Sequence, residues 1–491
     1  MKKKIIMFAL LLAVAALLAC SQEPDDNIAA PDELGQGAPE AQALEADPLA
    51  AFDFGGAPIR ILTSINATDG IISNSNHMIE GTGELIGEIV NDSVFKRNDD
   101  VATLLNVEFV YTHIDEDYDT VERELSRIIM AGLDEYDLMI NDLRSLVNMS
   151  LQGMFLNIRG VPVFDLTQAY WYTDFMDDTA IGTERAYILA GDYFMDILRN
   201  SHALFLNMTM LNDQVPGGSD ALHRLVLAGG WTLDEFSRLS RDFLRDLDGA
   251  GTISNSSHQF GFICVGTWGS AMPFMMAADT GVFTKDANGI PALTINNPRS
   301  HQLHAYLSEL FHNPESGARH QFGLHELIPE FMNRRSLMLG FQRISMLEGL
   351  RAMEDDVAIL PYPKLNAQQE RYVTSAHDTI EVGAIPVTTP NFDMMTVVLE
   401  ALNRETERTV LPAYYEQALQ IKYVRDEYSA QIISLIRASM GNVFALAYSE
   451  AIPGILSLYD VQATRDFMSG YERIAERSRA RLEEIIEMFL D

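Results

Sequence analysis

From Ile59 to Ile140 the sequence alternates short, β-branched apolar runs with longer stretches of helical spacing, and this rhythm constrains the fold more than any other feature. Ile59–Thr63 (IRILT) reads as a strand. Ile89, Val94, Phe95, Val101, Leu104 and Leu105 then recur at helical spacing. Val107–Tyr111 reads as a second strand, Val121–Ile129 as a helix, and Tyr136–Ile140 (YDLMI) as a third strand. Strand, helix, strand, helix, strand is the order of a mostly parallel sheet with crossover helices. In open α/β sheets ligands sit beyond the carboxyl ends of the strands. That makes Ser64 and Asn66, after the first strand, and Asn141 and Asp142, after the third, candidate ligand-binding residues. Taken singly, Asn141 and Asp142 read better as caps of the next helix, and it is as a set that the strand-end placement is informative.

The 491 residues exceed what one hydrophobic core organises, so two domains are expected. The second half opens around Ala186–Phe243, where two apolar, β-prone runs (Tyr187–Leu189 and Ala203–Leu206) precede an amphipathic helix. Asp192 lies between those runs and joins the candidate set. Thr232 and Glu235 have capping-box spacing, and Trp231 and Phe236 fall at the positions of a hydrophobic staple, so Trp231 reads as structural. Trp171 is a candidate for stacking on a sugar ring and equally a candidate for the core. Trp268 follows the strand Phe260–Val265 between two glycines, Gly266 and Gly269, and is the tryptophan best placed for such stacking. His377 and Asp378 precede the run Val382–Val387 (VGAIPV), and Asp378 completes the candidate list. The helix Ala271–Ala278, with Met275 and Met276, reads as core.

Other chemistries leave no mark. Gly81, Gly83 and Gly87 have the wrong spacing for a phosphate loop and no lysine follows. No nucleophile elbow occurs. His325-Glu326 begins like a zinc motif, but Pro329 stands where the second histidine belongs. In Asp246–Ile253 (DLDGAGTI), Asp246 and Asp248 fit a calcium loop, whereas Ala250 and Ser257 fall where carboxylates are needed, so no metal is expected. Seventy acidic residues leave a glycosidase pair open without singling one out.

Lys2, Lys3 and Lys4 followed by the apolar run Ile5–Leu18 read as an export signal over residues 1–19. The sequence Leu17-Leu18-Ala19-Cys20 resembles a lipobox with Cys20 as the lipidated residue. Two acyl chains, at about 0.8 kcal/mol per buried CH₂, hold a soluble domain at a membrane. Ser21–Ala51, rich in Pro, Ala and acids, reads as a disordered tether. The other cysteine, Cys264, sits in an apolar run and reads as a buried thiol. Removing the three signal lysines takes the formal charge from −35 to −38. Such a charge disfavours nucleic acid, which wants a basic stripe.

Several segments resemble one family, the carbohydrate-type extracellular solute-binding proteins of bacterial ABC importers. They are Asn91–Asn98 (NDSVFKRN), Gly153–Trp171, the run Ala203–Leu211 (ALFLNMTML) with its WTLDEF-like helix start, Phe331–Lys364, and Leu411–Ser429 (LPAYYEQALQIKYVRDEYS). The resemblance implies an α/β, two-lobed periplasmic-binding-protein-like fold of type II, each lobe a mostly parallel sheet flanked by helices, with the ligand cleft between. Lobe one is then expected in residues 55–200 with 361–446, and lobe two in 201–360 with 447–491, after a lipidated tether over 20–54. It implies a lipid-anchored, exported receptor rather than an enzyme. That receptor is a monomer without cofactor, takes a small solute such as an oligosaccharide and delivers it to an ABC permease. The alternatives are a surface glycoside hydrolase and an adhesive lipoprotein with no small ligand.

Overall fold

The computed structural model describes residues 47–64, 76–249, 251–266, 270–350, 352–377, 380–420, 427–460 and 464–490. Cys20, Asn66, Trp268 and Asp378 lie outside the described residues, as do the expected export signal and most of the expected tether.

In chain order the strands are β1 (Ala57–Ser64), β2 (Val107–Ile114), β3 (Leu138–Asp142), β4 (His202–Asn207), β5 (Arg245–Asp246), β6 (His258–Val265), β7 (Phe283–Lys285), β8 (Pro291–Leu293), β9 (Ala318–Phe322), β10 (Ser336–Arg343), β11 (Val357–Leu360) and β12 (Glu381–Ala384). One sheet has the order β12-β3-β1-β2. Its β2, β1 and β3 are parallel and β12 is antiparallel to β3. This is the sheet expected from the Ile59–Ile140 rhythm, with the helices Ile89–Leu105 and Tyr118–Met130 as its crossovers. The first of them buries Val90, Val94, Val101 and Leu105 along one stripe and ends at Asn106 in the left-handed region (φ 52°), a conformation asparagine tolerates. All five residues of β3 are buried, as expected of a strand covered on both faces.

The second sheet has the order β11-β4-β10-β6-β5, with β9 paired to β6. Here β10, β6 and β9 are parallel, but β4 is antiparallel to both its neighbours. The direction follows from the route. β4 carries the chain away from the first sheet and β10 brings it back, the Ile344 N–H donating to Ser201 O at 3.2 Å. The chain returns to the first sheet through residues 361–380. A third link runs beside it, where Thr374 pairs with Met440. β7 and β8 form a separate hairpin.

Four local expectations change. Tyr187–Leu189 is not a strand; only Leu189 pairs, through two hydrogen bonds with Gly383, because β12 is four residues long and offers little edge. Gly383 itself admits no side chain, since a Cβ would lie 2.4 Å from the Phe194 ring. Within the expected tether, Pro48–Ala51 is a 3₁₀ turn with Leu49 buried. The helix Glu427–Ala438, expected with lobe one, packs on β11 and on the helix Gly218–Leu227 as well, while its Arg437 bonds Asp192 and Glu407. The last helix, Phe467–Leu490, does not dock on the second sheet alone. Phe467 meets His301 and His304 at one end, while Arg185 donates to Phe489 O and Tyr187 packs on the Phe489 ring at the other.

Trp231 is structural. It is fully buried, edge-on to Phe236, and its indole N–H donates to Pro361 O at 3.0 Å. Thr232 is the N-cap of the helix Leu233–Asp242, but its hydroxyl makes no cap bond. The Leu233 N–H donates to Lys364 O instead, so the neighbouring chain does the work expected of a capping box.

Candidate functional site

The carboxyl ends of β1 and β3 and the start of β12 come together at one edge of the first sheet. Ser64, Asn141 and Asp142 are all buried there. Asp142 and Glu381 are register partners across β3 and β12. Asn141 and Asp142 are the last residues of β3 rather than part of the loop after it, and Asp142 is also the N-cap of the helix Leu143–Ser150, accepting from the Arg144 N–H at 2.9 Å. The cap reading and the strand-end reading are therefore both realised by one side chain.

Sequence reasoning missed Glu381, which lies at the centre of this edge. Ser64 Oγ donates to Glu381 Oε1 at 3.2 Å, and the Glu381 N–H donates to Asp196 Oδ2 at 3.1 Å. Among the described residues Glu381 Oε2 and Asn141 Oδ1 have no hydrogen-bond partner. Burial, then the neighbouring Asp196, push the Glu381 carboxyl well above the usual carboxylate range, and the Ser64 bond only partly opposes them. Arg144 and Arg199 stand among these acids: Arg144 Nε is 3.2 Å from Asp142 Oδ1 and lies over the Tyr118 ring, and Arg199 Nη1 is 3.6 Å from Asp196 Oδ1.

From Asp196 the polar chain reaches the second sheet. Asn200 Nδ2 donates to Asp196 Oδ1 at 2.6 Å, and Asn200 Oδ1 accepts from Arg343 Nη1 at 3.3 Å. The backbone around Asn200 is fixed by the His377 N–H donating to its carbonyl. His202, at the start of β4, forms a ring cluster with Phe341 and His377, with centroids 5.8 to 6.1 Å apart.

Phe341 is the second residue that sequence reasoning missed. The register of β10 against β4 shifts between Leu339 and Gln342, and Phe341 within that bulge has φ 55°. A bulge re-aims a side chain, and a bulky residue in the left-handed region is strained. The strain is held by the Phe341 N–H donating to the Tyr362 hydroxyl at 2.8 Å. It leaves the ring half-buried at the end of β10, beside His202 and His377. Gly340, just before it, was the available signal, since glycine inside an apolar strand marks a bulge.

Trp171 and Asp192 are not part of this edge. Trp171 is 3 % exposed, packs on Phe164, and donates its indole N–H to Glu400 Oε2 at 2.8 Å. Its burial against core partners comes from pairing with Gly191. Asp192 is fully buried and accepts from Tyr172 Oη and from Arg437 Nε and Nη2, at 2.6 to 2.9 Å. Burial pushes its carboxyl up to about 6 despite the guanidinium. That cluster ties the helix Glu427–Ala438 to the first sheet. Among the described residues no three His, Cys, Asp or Glu side chains are arranged to hold a metal ion. In the Asp246 loop, Asp246 accepts from the N–H groups of Asp248, Gly249 and Gly251.

The strand-end groups thus combine carboxyls, guanidiniums, amides and imidazoles with an aromatic face. Such a set hydrogen-bonds hydroxyls in both directions and stacks on an apolar ring face.

No family model matches the sequence, and no curated protein matches it. Solved structures do. A cyclo/maltodextrin-binding protein complexed with maltotetraose is similar with a TM-score of 0.54 at 12 % identity, over 89 % of this chain and 97 % of that one. An ABC transporter solute-binding protein from Thermotoga lettingae bound with α-D-tagatose gives 0.52 at 11 %, over 88 % and 100 %. UgpB from Mycobacterium tuberculosis in complex with glycerophosphocholine gives 0.54 at 15 %, over 88 % and 100 %. The chain therefore has the two-lobed, periplasmic-binding-protein-like α/β fold.

Proposed function

We propose that the protein is a solute-binding receptor that captures a small polyhydroxylated molecule, an oligosaccharide first of all, between its two sheets. The observation that carries this reading is the strained Phe341 ring, held beside His202 and His377, with the neighbouring Arg343 bonded through Asn200 and Asp196 to the acidic strand ends of the first sheet. Support also comes from the fold, shared over nearly all of the chain with proteins solved with maltotetraose, α-D-tagatose and glycerophosphocholine.

The lobes are the two sheets with their helices, residues 55–200 with 361–446 and 201–360 with 447–491, adjusted for the helix Glu427–Ala438. Ligand contact falls to Ser64, Asn141 and Asp142 with Glu381, Arg343 and Phe341, and to Asn66, Trp268 and Asp378 on the connections. Closure follows from differential affinity: a ligand that touches both lobes prefers the closed state and shifts the population toward it. Export, lipidation at Cys20 and delivery to an ABC permease complete the reading, which needs no cofactor. A hydrolase is disfavoured by how the carboxyls are used: Asp142 caps a helix, and Asp196 holds Asn200 and the Glu381 N–H.

The test is calorimetry of the purified protein against a panel of oligosaccharides, with the sugar analysed afterwards. Saturable binding of one sugar class, recovered intact, is expected. A cleaved sugar, or no binding across sugars, sugar phosphates and polyols, overturns the reading.

A further inference from the structure

Outside the strand-end cluster, the described residues form a basic cavity. A pocket of about 420 Å³ opens between the end of the helix Pro298–His312, the turn Asn313-Pro314 and strand β9. Its charged and titratable lining is Arg319, His320, His312 and Arg465, with no aspartate or glutamate among the lining residues. That is unexpected in a chain with 70 acidic residues and 35 lysines and arginines. Like charges brought together repel one another, and Arg319 and Arg465 line this cavity with no carboxylate in the lining itself.

The individual groups confirm the imbalance. Arg319 is half-buried, and among the described residues the one hydrogen bond of its guanidinium is from Nε to Asn255 Oδ1 at 2.7 Å, with no partner there for either terminal nitrogen. Burial alone lowers its basicity. His320 is buried edge-on against Phe311. Burial, then His312 and Arg319, hold its imidazole below the ordinary histidine range, and Asp460 is the acid that pulls the other way. Arg465 is exposed and has neither a hydrogen bond nor an ion pair among the described residues. Two guanidiniums with free N–H groups and two imidazoles around one cavity are the donor set for a tetrahedral oxyanion.

From this arrangement we propose that the pocket is a second binding site, for a phosphate-class oxyanion, either free or carried on a small organic molecule. The volume is in the range of small-molecule pockets rather than of a surface dimple. The site is independent of the solute-binding reading, sharing no residue with the strand-end cluster.

Calorimetry of the purified protein at constant ionic strength, with chloride as the balancing anion, tests it using inorganic phosphate, sulfate and glycerol 3-phosphate as probes. One saturable site is expected. Arg319→Gln and Arg465→Gln should each weaken binding at least tenfold, while Phe341→Asn leaves it unchanged. Arg465 is exposed, so its variant should melt like the wild type and keeps the test clear of folding effects. Tighter binding of glycerol 3-phosphate than of phosphate would assign the site to an esterified phosphoryl group, and equal binding to the free ion. Heats that do not saturate, that survive both arginine changes, or that disappear in Phe341→Asn would overturn the proposal.

Discussion

Replacing Glu381 by Gln should stabilise the protein, by an amount that grows with pH. Glu381 is buried at the start of β12, with one oxygen on Ser64 and the other without a partner among the described residues. Burial first, and Asp196 next, raise its carboxyl well above the ordinary range, with Asp142 adding to them. In the unfolded chain the same group ionises near the ordinary glutamate value of 4.5. The folded state therefore holds a proton that the unfolded state has lost. Stability from that proton is complete below the unfolded value and declines as pH rises toward the folded one. Within this window each pH unit costs the wild type about 1.4 kcal/mol, while glutamine, neutral throughout and of the same shape, is not affected. As pH rises from about 5 the variant should therefore gain steadily on the wild type, by at most the slope of one proton. Urea denaturation of both proteins at several pH values measures this, with equal m-values confirming that only stability has changed. Parallel stability curves would show that Glu381 is ionised in the folded protein, and the electrostatic account of the strand-end edge would be wrong.

Three further outcomes follow from single residues. Arg437→Ala leaves Asp192 buried without its cation and should cost about 3–5 kcal/mol in urea denaturation, far more than an exposed pair would. Phe341→Asn keeps a residue that tolerates the left-handed backbone while removing the ring, so the fold should persist. Affinity for the cleft ligand should then fall about tenfold by calorimetry, about 1.4 kcal/mol. Cys264 is fully buried and its thiol is pushed up to about 12, so a disulfide reagent at pH 8 should label Cys264 in the unfolded protein and spare it in the native one, as peptide mapping reads.

The first sheet was legible because its information is local. Each strand from Ile59 to Ile140 is a short apolar run, each crossover a helical stripe, and right-handed crossovers leave few ways to assemble them. Trp231 was legible for the same reason: the partner that identifies it, Phe236, lies one helical turn away. Tyr187–Leu189 failed where local information ended. Its apolar, β-prone residues are buried as expected, but a strand also needs an edge to pair with, and β12 offers it little more than Gly383.

The candidate site was only half legible, and the difference lies in which contacts are long-range. Strand ends can be located from strand prediction alone, which is how Ser64, Asn141 and Asp142 were found. Glu381 belongs with them because β12 runs antiparallel to β3 in one particular register, and a slip of one residue would turn its side chain to the other face. No spacing in the sequence encodes a register between segments more than two hundred residues apart. Phe341 depends on still more: β10 must pair with β4 on one side and β6 on the other, and only their mismatch forces the bulge that turns the ring toward His202 and His377. In SLMLGF the phenylalanine looks like one more core residue. Strain identifies it instead, because a phenylalanine held at positive φ by a buried tyrosine hydroxyl costs stability that a residue serving only to pack would not need to spend.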